Sequence, residues 1–266
     1  MIKFAAWCIF VMCLGAAASP GSARAQGFTA AISPPRFELG IKPGERVRQV
    51  MEVTNPNNQS KSFGIKTADW VLDADGGLAF FDELQPGSCR PWVALEAREI
   101  TVSASGKYRY RFEISVPENA ASGECRFVLL IQGDDQPVKA GDVSFPVSGR
   151  IGVIVYVVIG DATPQLEVIG TRVRTLHGVT LPVVDVRNSG NAHGRISGFL
   201  SGTDAIGKKL DFDPVTLPIL PGESRGIALT PSTGRDEPIT IAYPVTIKGT
   251  LEWGDKSIPF EQRFVP

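Results

Sequence analysis

Histidine and cysteine are scarce in this chain, with two and four among 266 residues. His177 lies in Thr-Leu-His-Gly-Val and His193 in Gly-Asn-Ala-His-Gly, both turn-like stretches with no serine or cysteine nucleophile motif beside them. No G-x-S-x-G, phosphate loop or dinucleotide fingerprint occurs, so no enzymatic activity and no cofactor are expected. No metal site is expected either. Asp73, Asp75 and Gly76 share only the start of a calcium loop and read as a solvated turn. Charge of one sign is lacking too: 27 basic residues stand against 28 acidic ones. That balance excludes a general polyanion binder, so no nucleic-acid partner is expected. No run beyond the first residues is long enough to span a bilayer. Ile151 to Ile159 is apolar but far too short, and no membrane insertion is expected.

Residues 1–25 read as a secretory leader. Lys3 gives the basic start, Phe4 to Ala18 the apolar stretch, and Ala23-Arg24-Ala25 the small-x-small cleavage pattern before Gln26. The reading has the mature chain exported, cleaved after Ala25. Cleavage removes Cys8 and Cys13, and also Lys3 and Arg24, which leaves 25 basic against 28 acidic residues, or −3. Cys89 and Cys125 remain, an even pair in an oxidising compartment, and a disulfide is the expected state. Its loop of about 37 residues stabilises by roughly 3–4 kcal/mol in the chain-entropy model.

Helical stripes are nearly absent, and alternation takes their place. Lys107 to Val116 is the clearest strand, with Tyr108, Tyr110, Phe112, Ile114 and Val116 on one face. Further strands are read over Arg48–Val53, Ser62–Leu72 and Glu124–Gln132, and one long run from Asp142 to Ile159. Gly160-Asp-Ala-Thr-Pro164 reads as a linker. Beyond it strands recur over Gln165–Arg174, Val179–Arg187, Arg195–Gly202, Val215–Leu217, Ser224–Leu229, Ile239–Trp253 and Lys256–Phe264. About seven strands per ~100 residues, punctuated by turn clusters, is the pattern of a β-sandwich. The expected fold is therefore all-β: a domain over residues 26–160 and a second over 161–266, both Ig-like sandwiches. Both halves carry a strand-Asn-turn motif, Glu52-Val-Thr-Asn-Pro56 and Asp185-Val-Arg-Asn-Ser189.

The run that ends the first half, Val143-Ser-Phe-Pro-Val-Ser-Gly-Arg-Ile-Gly-Val-Ile-Val-Tyr-Val157 and on to Ile159, admits two readings. It is a core strand running into the linker, or an edge strand lent to another protein. Val143, Phe145 and Val147 form the alternate apolar set. Pro146 is on the other parity and lacks an N–H, which suits a strand with one unpaired edge.

Residues 28–160 resemble the periplasmic pilus chaperones of the chaperone–usher pathway, the PapD-like family. The resemblance rests on Ser33-Pro-Pro-Arg36, Val50-Met-Glu-Val-Thr-Asn55, Trp70, Ile100-Thr-Val, Gly106-Lys-Tyr-Arg-Tyr-Arg, Val116-Pro117, Gly123-Glu-Cys-Arg-Phe-Val-Leu-Leu-Ile131 and the long final strand, in that order. It implies two sandwiches bent around a cleft and a chaperone that lays Val143, Phe145 and Val147 into the groove of a pilin-like subunit. An outer-membrane usher is the implied downstream partner. It also implies that the subunit's C-terminal carboxylate is anchored by Arg36 and a lysine. The lysine position aligns with Gly152, and Arg150, two residues earlier on the same strand face, is the expected substitute. The competing reading is a passive two-domain envelope scaffold or adhesin module.

Overall fold

The computed structural model describes residues 29–134, 136–140, 143–147, 149–176, 178–232 and 239–266. The leader, its cleavage site, Asp135 and His177 lie outside the described residues, as do the side chains of Val143 and Val147. Residues 29–159 form twelve strands: β1 Ala31–Ser33, β2 Arg36–Ile41, β3 Arg46–Thr54, β4 Lys61–Leu72, β5 Leu78–Phe81, β6 Val93–Leu95, β7 Glu99–Val102, β8 Lys107–Ser115, β9 Gly123–Gly133, β10 Gln136–Ala140, β11 Val143–Val147 and β12 Arg150–Ile159. Seven more follow: β13 Leu166–Leu176, β14 Val179–Asn188, β15 Ser197–Thr203, β16 Lys209–Pro214, β17 Ser224–Ser232, β18 Val245–Trp253 and β19 Lys256–Phe264. The chain is all-β, with two sandwich domains.

In the first sandwich, one sheet has the order β1-β3-β8-β6 and the other β2-β12-β9-β4-β5, with β7 also on β4. Alternation on β8 buries Tyr110, Phe112 and Ile114 against Phe37, Phe127 and Val155 from the facing sheet. Phe112 meets both Phe37 and Phe127 edge-on, the favoured aromatic geometry. The disulfide Cys89–Cys125 forms and is buried in this core. In the second domain the strands follow one path, β13-β14-β17-β16-β15-β18-β19. β17 serves both layers: residues 224–228 pair with β14 and residues 229–232 with β16. Between the layers pack Val186, Leu200, Phe212, Ile247 and Phe264.

The two Asn motifs have one structural job. Asn55, fully buried, donates to the carbonyls of Gln59, Val102 and Ser103 and accepts from Asn57. Asn188, equally buried, donates to Ala192 and Ile219 and accepts from Gly190 and Gln165. Each amide satisfies turn backbone that would otherwise be buried without partners.

Several expected boundaries move. The run from Asp142 to Ile159 is not one strand: β11 pairs with β10, and β12 with β9 and β2. The ladder register shifts by one residue where the two pairings meet, between Gln132↔Arg150 and Gln136↔Val147. β16 escaped the sequence reading because its buried residues, Leu210 and Phe212, alternate with Lys209, Asp211 and Asp213. Val215–Leu217 is no strand. β18 starts at Val245 rather than Ile239, just after Pro244, whose ring nitrogen has no hydrogen to give a ladder.

Candidate functional site

The first candidate feature is the β10–β11 hairpin. It is a sheet of two strands, so among the described residues the outer edge of β11 carries no strand. β2 pairs with β12 only from Ile154 onward, which extends the same unpaired edge over residues 150–153. Pro146 faces Pro137 across the hairpin. Two facing prolines fit only at a non-hydrogen-bonded pair, so the backbone of Ser144 and Pro146 points to the open edge. That edge offers the Ser144 N–H but none from Pro146, a reduced template for chance strand addition. Phe145 is half exposed. It shares its chain parity with Val153, Val155 and Val157, which point into the core.

The second feature is the junction between the sandwiches. On the sheet face opposite the first core, Ala68, Trp70, Val128, Leu130 and Tyr156 form an apolar cluster that Leu220 of the second domain covers. A polar network borders it. Glu124 at the start of β9 has a wholly buried side chain. One of its oxygens accepts from the His193 backbone N–H at 2.9 Å and from the ring Nδ1 at 2.5 Å; the other has no partner. The His193 ring stacks on Tyr156 with centroids 3.9 Å apart. Arg195 donates to His193 Nε2 at 2.7 Å and to Glu38 Oε1 at 2.7 Å, with its guanidinium 5.4 Å from the Tyr156 ring centre. Those partners suit the tautomer with its proton on Nδ1, which gives to Glu124 and receives from Arg195. Burial pushes the Tyr156 hydroxyl up to about 12. Burial also raises Glu38, but the guanidiniums of Arg195 and Arg36 outweigh it and hold the carboxyl below its ordinary range.

A second contact joins the domains. The Asp73–Gly77 turn, whose Asp73 and Asp75 are exposed as expected, also touches the second domain. Arg225, buried, donates to the carbonyls of Leu72 and Asp73 and pairs with Glu223. Arg174 meets Asp75 at 2.8 Å. Asp73 closes the turn, accepting from the N–H groups of Asp75 and Gly77. Among the described residues no group of acidic, His or Cys side chains is arranged for a metal.

Arg36 sits at the start of β2 beside Ile154, half exposed, with its Nε 2.8 Å from Glu38 Oε1. Arg150 is exposed at the start of β12, four residues from the level of Arg36, which is about 13 Å of strand. The two are not brought together. At Gly152 a Cβ would lie 2.8 Å from the Phe80 ring and 3.1 Å from Val128, so the position aligned with the family lysine is filled from the neighbouring strands. Sequence reasoning missed Glu124, His193 and Arg195. The only trace was a charged residue opening the otherwise apolar β9, and a His-x-Arg after a turn; neither announces that the two segments meet.

No protein-family model matches the chain, and no curated protein matches it in sequence. Solved structures do. The class 5 fimbriae chaperone CfaA is similar at 13% identity and a TM-score of 0.46, over 90% of this chain and 100% of its own. The chaperone DraB of E. coli is similar at 13% identity and 0.44, over 89% and 99%. So is the chaperone–tip adhesion subunit complex of the archaic chaperone–usher Csu pili of Acinetobacter baumannii, at 16% and 0.45, over 90% and 100%.

Proposed function

We propose that the protein is a periplasmic chaperone that holds pilin-like subunits by lending them the edge of β11 and the start of β12. The observation that carries this reading is the open edge over 143–147 and 150–153, with the half-exposed Phe145 on it. A subunit sandwich short of one strand has an exposed groove that aggregates unless it is filled. An added strand supplies ladder hydrogen bonds, and Val143, Phe145 and Val147 supply alternate side chains for its pockets. Residues 26–160 donate in this scheme, and residues 161–266 brace the donor through the junction. Arg36, with its guanidinium fork, anchors the subunit's terminal carboxylate. An outer-membrane usher then receives the subunit, and no nucleotide or cofactor is needed because one strand exchanges for another.

The passive-module reading draws on one contact, the pairing of Arg36 with Glu38, which leaves that arginine already engaged. Co-purification of the mature protein from its own host's periplasm, beside Phe145→Asp, separates the two. A stoichiometric small β-rich partner, lost with Phe145→Asp, is the result expected of a chaperone. Equal recovery of the partner by both forms removes β11 from the mechanism.

A further inference from the structure

The β13-β14-β17 layer of the second domain is apolar on both faces. An antiparallel sheet with one face in water alternates apolar with polar residues instead. Val184 and Val186 of β14 point into the second core. Val179, Leu181 and Val183, on the other parity, are apolar too, and the registers set Leu176 beside Val179 and Ala228 beside Val183. Leu217, from the segment after β16, and the Ala74–Asp75 turn of the first domain stand over this outer face. A Cβ on Gly76 would lie 3.1 Å from Leu217, so the turn is packed down at that side. Between turn and sheet is a cavity of about 530 Å³. The geometry points to a binding site for an uncharged, apolar small molecule, held between the sheet of the second domain and the turn of the first. The site is separate from strand donation, because the β4–β5 turn lies across the first sheet from β2 and Arg36.

Size, charge and access each limit the occupant. Small-molecule sites run from about 300 to 1,000 Å³ with mostly apolar walls, and this cavity falls within that range. The turn of the first domain forms one wall, so an added strand or helix would have to part the two domains. Charge at the rim is already matched. Arg174 pairs with Asp75 at 2.8 Å, and Arg172 forks onto Asp185 through Nε at 2.9 Å and Nη2 at 2.8 Å. An ionised ligand would therefore lose hydration without gaining a free counter-charge, a cost that an uncharged one avoids. Besides the Arg174–Asp75 pair, Thr230 is the polar side chain of the wall among the described residues, and it offers a partner to a single hydroxyl. Val179 is 49% exposed, so the way in is from solvent. Because both domains supply walls, an occupant binds only their docked arrangement and stabilises it by mass action.

The probe is N-phenyl-1-naphthylamine, an uncharged dye that brightens in apolar surroundings, titrated into the mature protein. Saturable binding of one dye per chain is expected, with a melting temperature that rises with dye concentration. Val179→Glu puts a charge into the sheet wall, and Ala74→Trp fills the space from the turn. Both positions are exposed, so the fold persists, and a melt of each variant without dye records it. Each should weaken the dye at least ~tenfold. Phe145→Asp and Phe199→Ser, which remove exposed rings elsewhere, should leave the affinity unchanged. Dodecanol should displace the dye at a concentration about tenfold lower than dodecanoate does. No saturable binding, wild-type affinity in either folded wall variant, or loss of binding in Phe145→Asp or Phe199→Ser overturns the site. Equal displacement by dodecanol and dodecanoate overturns the uncharged class of ligand.

Discussion

Removing the imidazole of His193 tests how the two sandwiches are held. The carboxylate of Glu124 has no exposed side-chain surface, one oxygen without a partner, and a second that depends on His193 for both of its hydrogen bonds. His193→Ala keeps the backbone N–H but deletes the ring hydrogen bond, the stack on Tyr156 and the acceptor for Arg195. Removing a hydrogen-bond partner from a buried polar group costs about 1–3 kcal/mol, and more when that group is charged, as the carboxylate is. Total stability for a domain is about 5–15 kcal/mol, so the loss is large enough to measure. Urea unfolding followed by tryptophan emission reads the loss, since Trp70 lies in the same junction, edge-on to Tyr156. Glu124→Gln on the His193→Ala background should return most of it, because a buried neutral amide loses less than a carboxylate when a donor is removed. A loss under about 1 kcal/mol, with no recovery in the double variant, refutes the reasoning: Glu124 then finds water and the network is not what joins the domains.

Gly152→Lys, which restores the family's residue type, should cost about 1–3 kcal/mol by crowding Phe80 and Val128; a denaturant midpoint equal to wild type would show that the ring swings aside freely. Glu38 contributes stability with a definite pH sense. Its folded value is depressed, so the contribution is complete above the unfolded value near ~4.3 and is lost as pH falls through the folded one. The melting difference between wild type and Glu38→Gln should therefore be present at neutral pH and shrink in acid, and a difference that grows in acid contradicts the ion-pair account.

The sandwich fold was legible because burial on one face of a strand writes a period of two into the chain, as in Tyr110, Phe112 and Ile114. The disulfide was legible from compartment and parity. The repeated Asn was visible as a motif, and its purpose became clear only with the carbonyls it satisfies. Boundaries failed where charge masked alternation, as in Lys209–Pro214, or where one apolar run served two ladders, one ending at Val147 and the other starting at Arg150. The junction was not legible at all. Glu38, Glu124, His193 and Arg195 are spread over more than 150 positions, and their meeting depends on the relative placement of two domains, which no local pattern encodes. The turn at Asp73 and Asp75 was read correctly as exposed, but its contacts to Arg225 and Arg174 of the other sandwich were not legible.

Hydrogen exchange over residues 143–153, with and without the partner recovered from the periplasm, tests strand donation most directly. The account predicts that the backbone here exchanges fast in the free protein, where its outer edge is unpaired, and is slowed at least tenfold in the complex as a ladder forms on it. Unchanged exchange in this segment with the partner fully bound would mean that the protein holds its partner elsewhere, and that the open edge of β11 is not its working surface.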